Sequence, residues 1–320
     1  MKKFIFLGKL IISATLISLL FYKLDVKAAI GMINQISISV LFGTLGLTLF
    51  ASILLTLRWQ IILIKVQSTL RSFETLWKIT NIGLFFNQAM PSSIGGDVVK
   101  IWLLKLSGVN IENATSSVAL ERLLGFIALG ILLGIGVIFQ WNLLKNTLII
   151  IPLMLSTLII IISIMLIILM PIFPDRWLNF NLMSFINPYA KSMKEMTQIL
   201  YSNKINLLGL LAISIGLHLL HITIIRLICN SLGFDLSWIQ CFVAIPLMFL
   251  ISSLPISVAG WGVREGISVA TLTVFSVKEE YALAMSVIYG LLQILGSLPG
   301  LIYWISSKSK AIAPLETLAK

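Results

Sequence analysis

Hydrophobic positions in this chain fall in long unbroken runs rather than in the spaced patterns of surface helices or the alternation of half-buried strands. Phe4–Tyr22, Ser37–Leu57, Ala114–Phe139, Thr147–Met170, Ile205–Ile228 and Tyr281–Ile305 each reach the roughly 18 residues that cross a bilayer as helix. Six spanning helices are expected from them. The first run, behind Met1-Lys2-Lys3, has some character of a signal peptide, with a weak Val26-Lys27-Ala28 cleavage pattern. It is longer than a signal core and further spans follow, so an uncleaved first span is expected. Pro171 and Pro174 predict a stop after the fourth span, because proline cannot continue the bonding ladder. Tyr189–Tyr201 mixes Lys191, Lys194 and Glu195 with Met193, Met196 and Ile199, the pattern of an amphipathic helix at the membrane interface.

Two further apolar stretches are broken from within. Thr75–Met90 gives way to Pro91-Ser92-Ser93-Ile94-Gly95-Gly96 and restarts at Asp97–Leu106; Trp238–Leu254 gives way to Pro255-Ile256-Ser257-Val258-Ala259-Gly260 and restarts at Gly262–Phe275. The breaks echo one another: Pro91 and Pro255, Ser93 and Ser257, Gly96 and Gly260, Val99 and Val263, Lys100 and Arg264 are each 164 positions apart. A first arm of about sixteen residues reaches only about 24 Å. Each unit is therefore expected to enter and leave on one side as a re-entrant hairpin, its broken backbone sheltered by protein or a wet cavity. The alternative, in which each unit crosses once, gives eight spans and a parallel repeat.

Composition fixes the class. The 320 residues are 58% hydrophobic and 11% charged, with mean hydropathy +1.05, whereas soluble domains carry about 25% charge. The expected fold is an all-α polytopic membrane protein, 1–320 forming one integral domain. The longest mainly polar connection is about Phe173–Lys204. A net charge of +11 would point to nucleic acid in a soluble chain; here Lys and Arg flank apolar runs. With the amino terminus inside, fourteen fall on inner segments and five on outer ones, leaving Lys100, Lys105, Arg122 and Arg264 within the membrane region. That bias predicts a cell-membrane protein with both termini cytoplasmic, and makes 37–139 and 205–305 an inverted repeat. Cys229 and Cys241 are the only cysteines, which excludes a disulfide framework or Cys-rich metal site.

Candidate chemistry gathers at the breaks. In inverted-repeat transporters, broken helices aim their N-termini at an anionic group near the midplane, and free amides at a helix start attract anions. Lys100 and Arg264 lie within about a turn of the two restarts. The candidate substrate-binding residues are Ser93, Gly95, Gly96, Asp97, Lys100, Glu121, Arg122, Ser257, Gly260, Gly262, Arg264 and Glu265. Gly95-Gly96 and Ala259-Gly260 are expected to line one cavity. The plainer alternative is that small residues permit tight packing and the cations sit at the interface. Glu121 and Arg122 are about 100° apart on one helix, so one of them is expected to pair with Asp97 or Lys100. His218 and His221 share a face but lack a third ligand, and are expected to be packing residues. Trp59, Trp77, Trp102, Trp141, Trp177, Trp238 and Trp304 are expected to anchor span ends. No metal, cofactor or catalytic cluster is expected.

Three of these segments carry a family resemblance. Asn87 and Met90-Pro91 leading into Gly95-Gly96-Asp97-Val98-Val99-Lys100, then Glu121-Arg122-Leu123-Leu124-Gly125, then Pro255-Ile256-Ser257 leading into Gly260-Trp261-Gly262-Val263-Arg264-Glu265-Gly266, resemble the lysylphosphatidylglycerol synthase transmembrane, or flippase-like, family. Lys100 stands where members typically have Arg, and Glu121 where they have Asp; both keep the charge, although Lys loses the bidentate geometry of Arg. The resemblance implies handling of polar lipids, whether aminoacylated phospholipids, glycolipids or isoprenoid lipids. The soluble catalytic domain of full synthases has no counterpart here, so lysyl transfer is not implied. The leading expectation is a lipid translocase for an anionic phospholipid, glycolipid or polyprenyl-phosphate lipid. A membrane-embedded lipid-modifying enzyme, or a scaffold partner of a separate synthase or glycosyltransferase, are the alternatives.

Overall fold

Each long apolar run must satisfy its own backbone groups where water is absent, which leaves the α helix as the local solution. A computed structural model describes residues 31, 36–66, 72–90, 94–174 and 187–310. Among them are ten α helices and no strand: α1 (Ile38–Val66), α2 (Phe73–Ala89), α3 (Gly95–Leu106), α4 (Ile111–Leu144), α5 (Ile150–Leu169), α6 (Asn187–Ser202), α7 (Lys204–Ser231), α8 (Trp238–Ser252), α9 (Val263–Val274) and α10 (Glu279–Lys310). Helices α1, α4, α5, α7 and α10 are long and apolar enough to cross a membrane. The chain is a multi-pass α-helical membrane protein. These five fall on the second to sixth expected spans; the expected first span, residues 4–22, lies outside the described residues.

The boundaries carry one correction. Helix α1 runs past Leu57 to Val66 and takes Arg58 and Trp59 into the interior, 5% and 0% exposed. A charge ends an apolar run in the sequence, but it does not end a helix whose neighbours supply a counter-charge. Helix α5 stops as expected, in a 3-10 turn at Met170–Ile172 containing Pro171. The outward face of α5, including Ile151, Met154, Leu158 and Met165, is exposed and apolar, as a lipid-facing surface should be.

Helix α6 has the expected amphipathic pattern, but protein covers its apolar face. Met193, Met196 and Leu200 pack into a cluster with Ile62 of α1 and Leu120 and Leu124 of α4. Ser192 bonds Asn113 at 2.8 Å, and Gln198 donates to the Pro171 carbonyl at 2.9 Å. The same periodicity suits a lipid surface or a protein groove, and here α4 provides the groove.

The broken units are pairs of short helices. Ser72 caps α2 by accepting from the Thr75 amide, and Ser237 caps α8 in a capping box with Gln240. Helices α2 and α3 pack antiparallel, with Leu76, Ile79 and Ile82 against Val99, Leu103 and Leu104. The elbow between α8 and α9 turns on left-handed torsions at Ala259 (φ 51°), Gly260 (φ 81°) and Gly262 (φ 84°).

Each first arm packs on the last span of the other half of the chain. Trp77 of α2 meets Tyr303 of α10 edge-on at 5.7 Å, and Gly300 lies against the Asn81 backbone. In the same way α8 lies along α4, where Gly136 sits against the backbone of Phe242 and Val243. Helices α1 and α7 pack on one another between these two pairs.

Candidate functional site

Asp97 and Lys100 are three residues apart on α3 and so project from one face. That face meets α4 at Glu121 and Arg122, and both expected charges find partners. Lys100 Nζ donates to Glu121 Oε2 at 2.6 Å, while Arg122 pairs with Asp97. The two pairs differ in burial. Lys100 and Glu121 side chains are each 6% exposed, whereas Arg122 is 28% exposed. Glu121 takes a second cation: Arg58 Nη2 stands 3.4 Å from Oε1, and Nη1 donates to Ser214 Oγ at 2.9 Å. The Trp59 ring lies under the Lys100 ammonium, 4.1 Å from centroid to Nζ. Such a contact adds attraction to a desolvated cation. Trp59 is thus a wall of the charge cluster and not an interface anchor.

The elbow above this cluster is held by close backbone approach. Asn87 Oδ1 accepts from the Gly96 amide at 2.8 Å. A methyl group built on Gly96 would overlap the Gly83 carbonyl oxygen, and one on Gly83 would come within 2.6 Å of Lys100 Cγ. The second elbow is built differently. Glu265 Oε2 accepts from the Gly262 amide at 2.6 Å, and its Oε1 accepts from Arg264 Nη2 at 2.6 Å and Nε at 3.0 Å. The Arg264 guanidinium stacks over Trp261 at 4.5 Å. At both restarts the chain's own side chain, Asn87 or Glu265, occupies a leading amide. Those two amides are therefore not open to an anion.

Between the helices lies a cavity of about 360 Å³. Arg58 (α1), Asp97 and Lys100 (α3), and Glu121 and Arg122 (α4) form its charged wall; His218 and His221 (α7), Phe249 (α8), and Tyr289 and Gln293 (α10) stand on others. Three cations face two carboxylates, which leaves one positive charge in excess. Asn87, Gln88 and Thr80 of α2 complete the lining beside the elbow.

The sequence-predicted residues divide into three groups. Asp97, Lys100, Glu121 and Arg122 line the cavity. Gly95 and Gly96 form the packed elbow beside it, Gly95 against Met90. Ser257, Gly260, Gly262, Arg264 and Glu265 are not part of its lining. Helix α10 separates them from it: Tyr289 faces the cavity, and the next residue, Gly290, faces the Arg264 guanidinium. The cavity therefore belongs to the first break and the two breaks do not share it. Ser93 lies outside the described residues.

Arg58, Trp59, Ser214, Tyr289 and Gln293 were missed. Arg58 and Trp59 carried a signal, lying within the first helical turn past an apolar run that ends without a cap. Ser214, Tyr289 and Gln293 had none, since nothing in a single sequence says which polar face of a span turns inward. His218 and His221 are the packed histidines expected, bonding the Gly125 carbonyl (3.1 Å) and Tyr289 hydroxyl (3.1 Å), yet both also line the cavity.

Residues 6–300 match the family described as the lysylphosphatidylglycerol synthase TM region. No curated protein matches the chain.

Proposed function

Because the chain belongs to the lysylphosphatidylglycerol synthase transmembrane family, we propose that it is a lipid translocase whose cavity receives the head group of an anionic lipid while the acyl chains stay in the bilayer. The observation that carries this reading is the excess positive charge of a cavity walled by helices long and apolar enough to cross a membrane. Glu121 stands about 15 Å along α4, and His218 and Gln293 about 21 Å along α7 and α10, so none of them lies at a helix end. A charge buried among such helices is costly unless it faces a partner or a wet cavity. A phosphate would balance the unmatched cation.

Packing supports hairpins that enter from opposite sides. Trp77 at the start of α2 packs on Tyr303 near the end of α10, and the start of α8 packs on Gly136 near the end of α4. Short links join α3 to α4 and α9 to α10, at 107–110 and 275–278. If α4 and α10 both cross, the first hairpin opens on one face and the second on the other, as an inverted repeat requires. Cysteine labelling tests this topology. Cys229 and Cys241 are buried and should stay silent, while Lys145→Cys should label from outside and Lys191→Cys from inside. Labelling of both from one side would rule the arrangement out.

The translocase reading is tested in vesicles containing the purified protein and a trace of fluorescent phosphatidylglycerol or phosphatidylcholine. Dithionite should quench the anionic probe well beyond the outer-leaflet share, with the zwitterionic probe left near that share. Equal quenching of both, or of neither, would defeat the proposal.

A further inference from the structure

The second break holds charge that the cavity does not use. Arg264 and Glu265 are 6% and 3% exposed, and they satisfy one another at 2.6 and 3.0 Å. Their contribution is therefore position rather than attraction. Ser286 Oγ of α10 donates to Glu265 Oε1 at 3.4 Å. One turn further on, the Arg264 guanidinium lies across Gly290, where an added methyl would fall 2.1 Å from Nη2 and 2.7 Å from Cζ. Only glycine leaves that room. Ser286 and Gly290 share a face of α10, so this face is seated on the second hairpin.

Tyr289 precedes Gly290, points about 100° away around the helix and lines the cavity. Its hydroxyl stands 3.1 Å from His221 Nδ1, and its ring 5.8 Å from Phe249. Phe249 in turn meets His221 at 5.7 Å and His218 at 6.3 Å. Four rings from α7, α8 and α10 thus stand together on the cavity lining. A close-packed group of this kind transmits a displacement instead of absorbing it, and a run of packed side chains can couple two places in this way.

We propose that Tyr289 is a positioning residue through which the second hairpin sets this ring wall: Arg264, seated on Gly290, fixes the rotation of α10, and that rotation brings the Tyr289 hydroxyl to His221. The second break thus governs the cavity's shape from behind α10, without lining it. The bearing on function rests on the reading of this cavity as a head-group site, but the test needs no lipid.

His218 and His221 are the only histidines in the chain, so nitrogen-15 histidine labelling of the full protein in detergent reads this wall alone. A His218→Gln variant assigns the two sets of ring signals. Tyr289→Phe should shift the His221 signals and so mark the loss of the hydroxyl. Gly290→Ala and Arg264→Lys should each move them in the same direction, while His218, held by the Gly125 carbonyl at 3.1 Å, changes little. Lysine keeps the charge that Glu265 needs but loses the plane that covers Gly290, so it decides the matter even where Gly290→Ala does not fold. A monodisperse size-exclusion profile identifies the variants that do. His221 signals left in place by the folded variants would overturn the proposal. So would equal shifts at His218 and His221, the mark of a general loosening. Failure of the vesicle assay with the His221 response intact would remove only the translocase reading.

Discussion

Glu121→Ala is expected to be the most damaging single substitution in the cavity, lowering stability by about 3–5 kcal/mol, the usual cost of breaking a buried ion pair from one side. Glu121 neutralises Lys100 at 2.6 Å and Arg58 at 3.4 Å, and the nearest other carboxylate, Asp97, is engaged by Arg122. Alanine would leave two buried cations uncompensated. Lys100→Met should cost less, because Arg58 still satisfies the carboxylate. The pair Lys100→Met with Glu121→Gln should be milder than the sum of its parts, by about 0.5–3 kcal/mol of coupling. Thermal unfolding of detergent-purified protein checks this, and strict additivity would mean that the Lys100–Glu121 contact contributes nothing of its own.

The second large effect separates the two elbow glycines. Gly96→Ala should destabilise the first hairpin by about 1–3 kcal/mol through overpacking, because the added methyl meets the Gly83 carbonyl, which is backbone and cannot step aside. At Gly260 nothing lies closer than 3.5 Å; the constraint there is a φ of +81°. Alanine should cost about 1–2 kcal/mol in that torsion, and Asn, which tolerates the left-handed region, should recover most of it. At Gly96, Asn should be worse than Ala. Gly134→Ala is the control, since its added methyl meets nothing within 4 Å. Gly130 would mislead as a control, because its added methyl lies 2.6 Å from Ile160 on the neighbouring span. Melting profiles in which Asn ranks the same way at both elbows would refute the distinction between a steric and a torsional glycine.

The spans and both breaks were legible because hydrocarbon imposes a length and a helical backbone on any chain that crosses it. The ion pairs were half legible. Adjacent Glu121 and Arg122 had to point different ways, and two cross-helix partners three residues apart were available at Asp97 and Lys100. What the sequence did not carry was depth and rotation. Arg58 looks like an interface cation because its run of apolar neighbours ends there, yet α1 continues and Ser214 and Glu121 receive it. The echo of the breaks also misled: matched residues have different duties, since Lys100 reaches across to another helix while Arg264 is held by its own neighbour, Glu265. Similar letters placed a cation beside each elbow, but the carboxylate that meets it comes from a different element in each half.

The reciprocal packing of first arms on distant last spans sets an order of events during synthesis. Asn81 and Trp77 emerge more than 200 residues before Gly300 and Tyr303, the partners they finally rest on. Contacts so far apart in sequence form late, because the intervening chain must be closed first. Until α10 arrives, α2 and the cavity groups beside it stand in the bilayer without their cover. A nascent chain halted before Gly300 should therefore expose the first hairpin to protease or to a quality-control factor that reads polar surface in lipid. A span made late is what shuts a site made early, so the arrival of α10 and the assembly of the cavity become a single step.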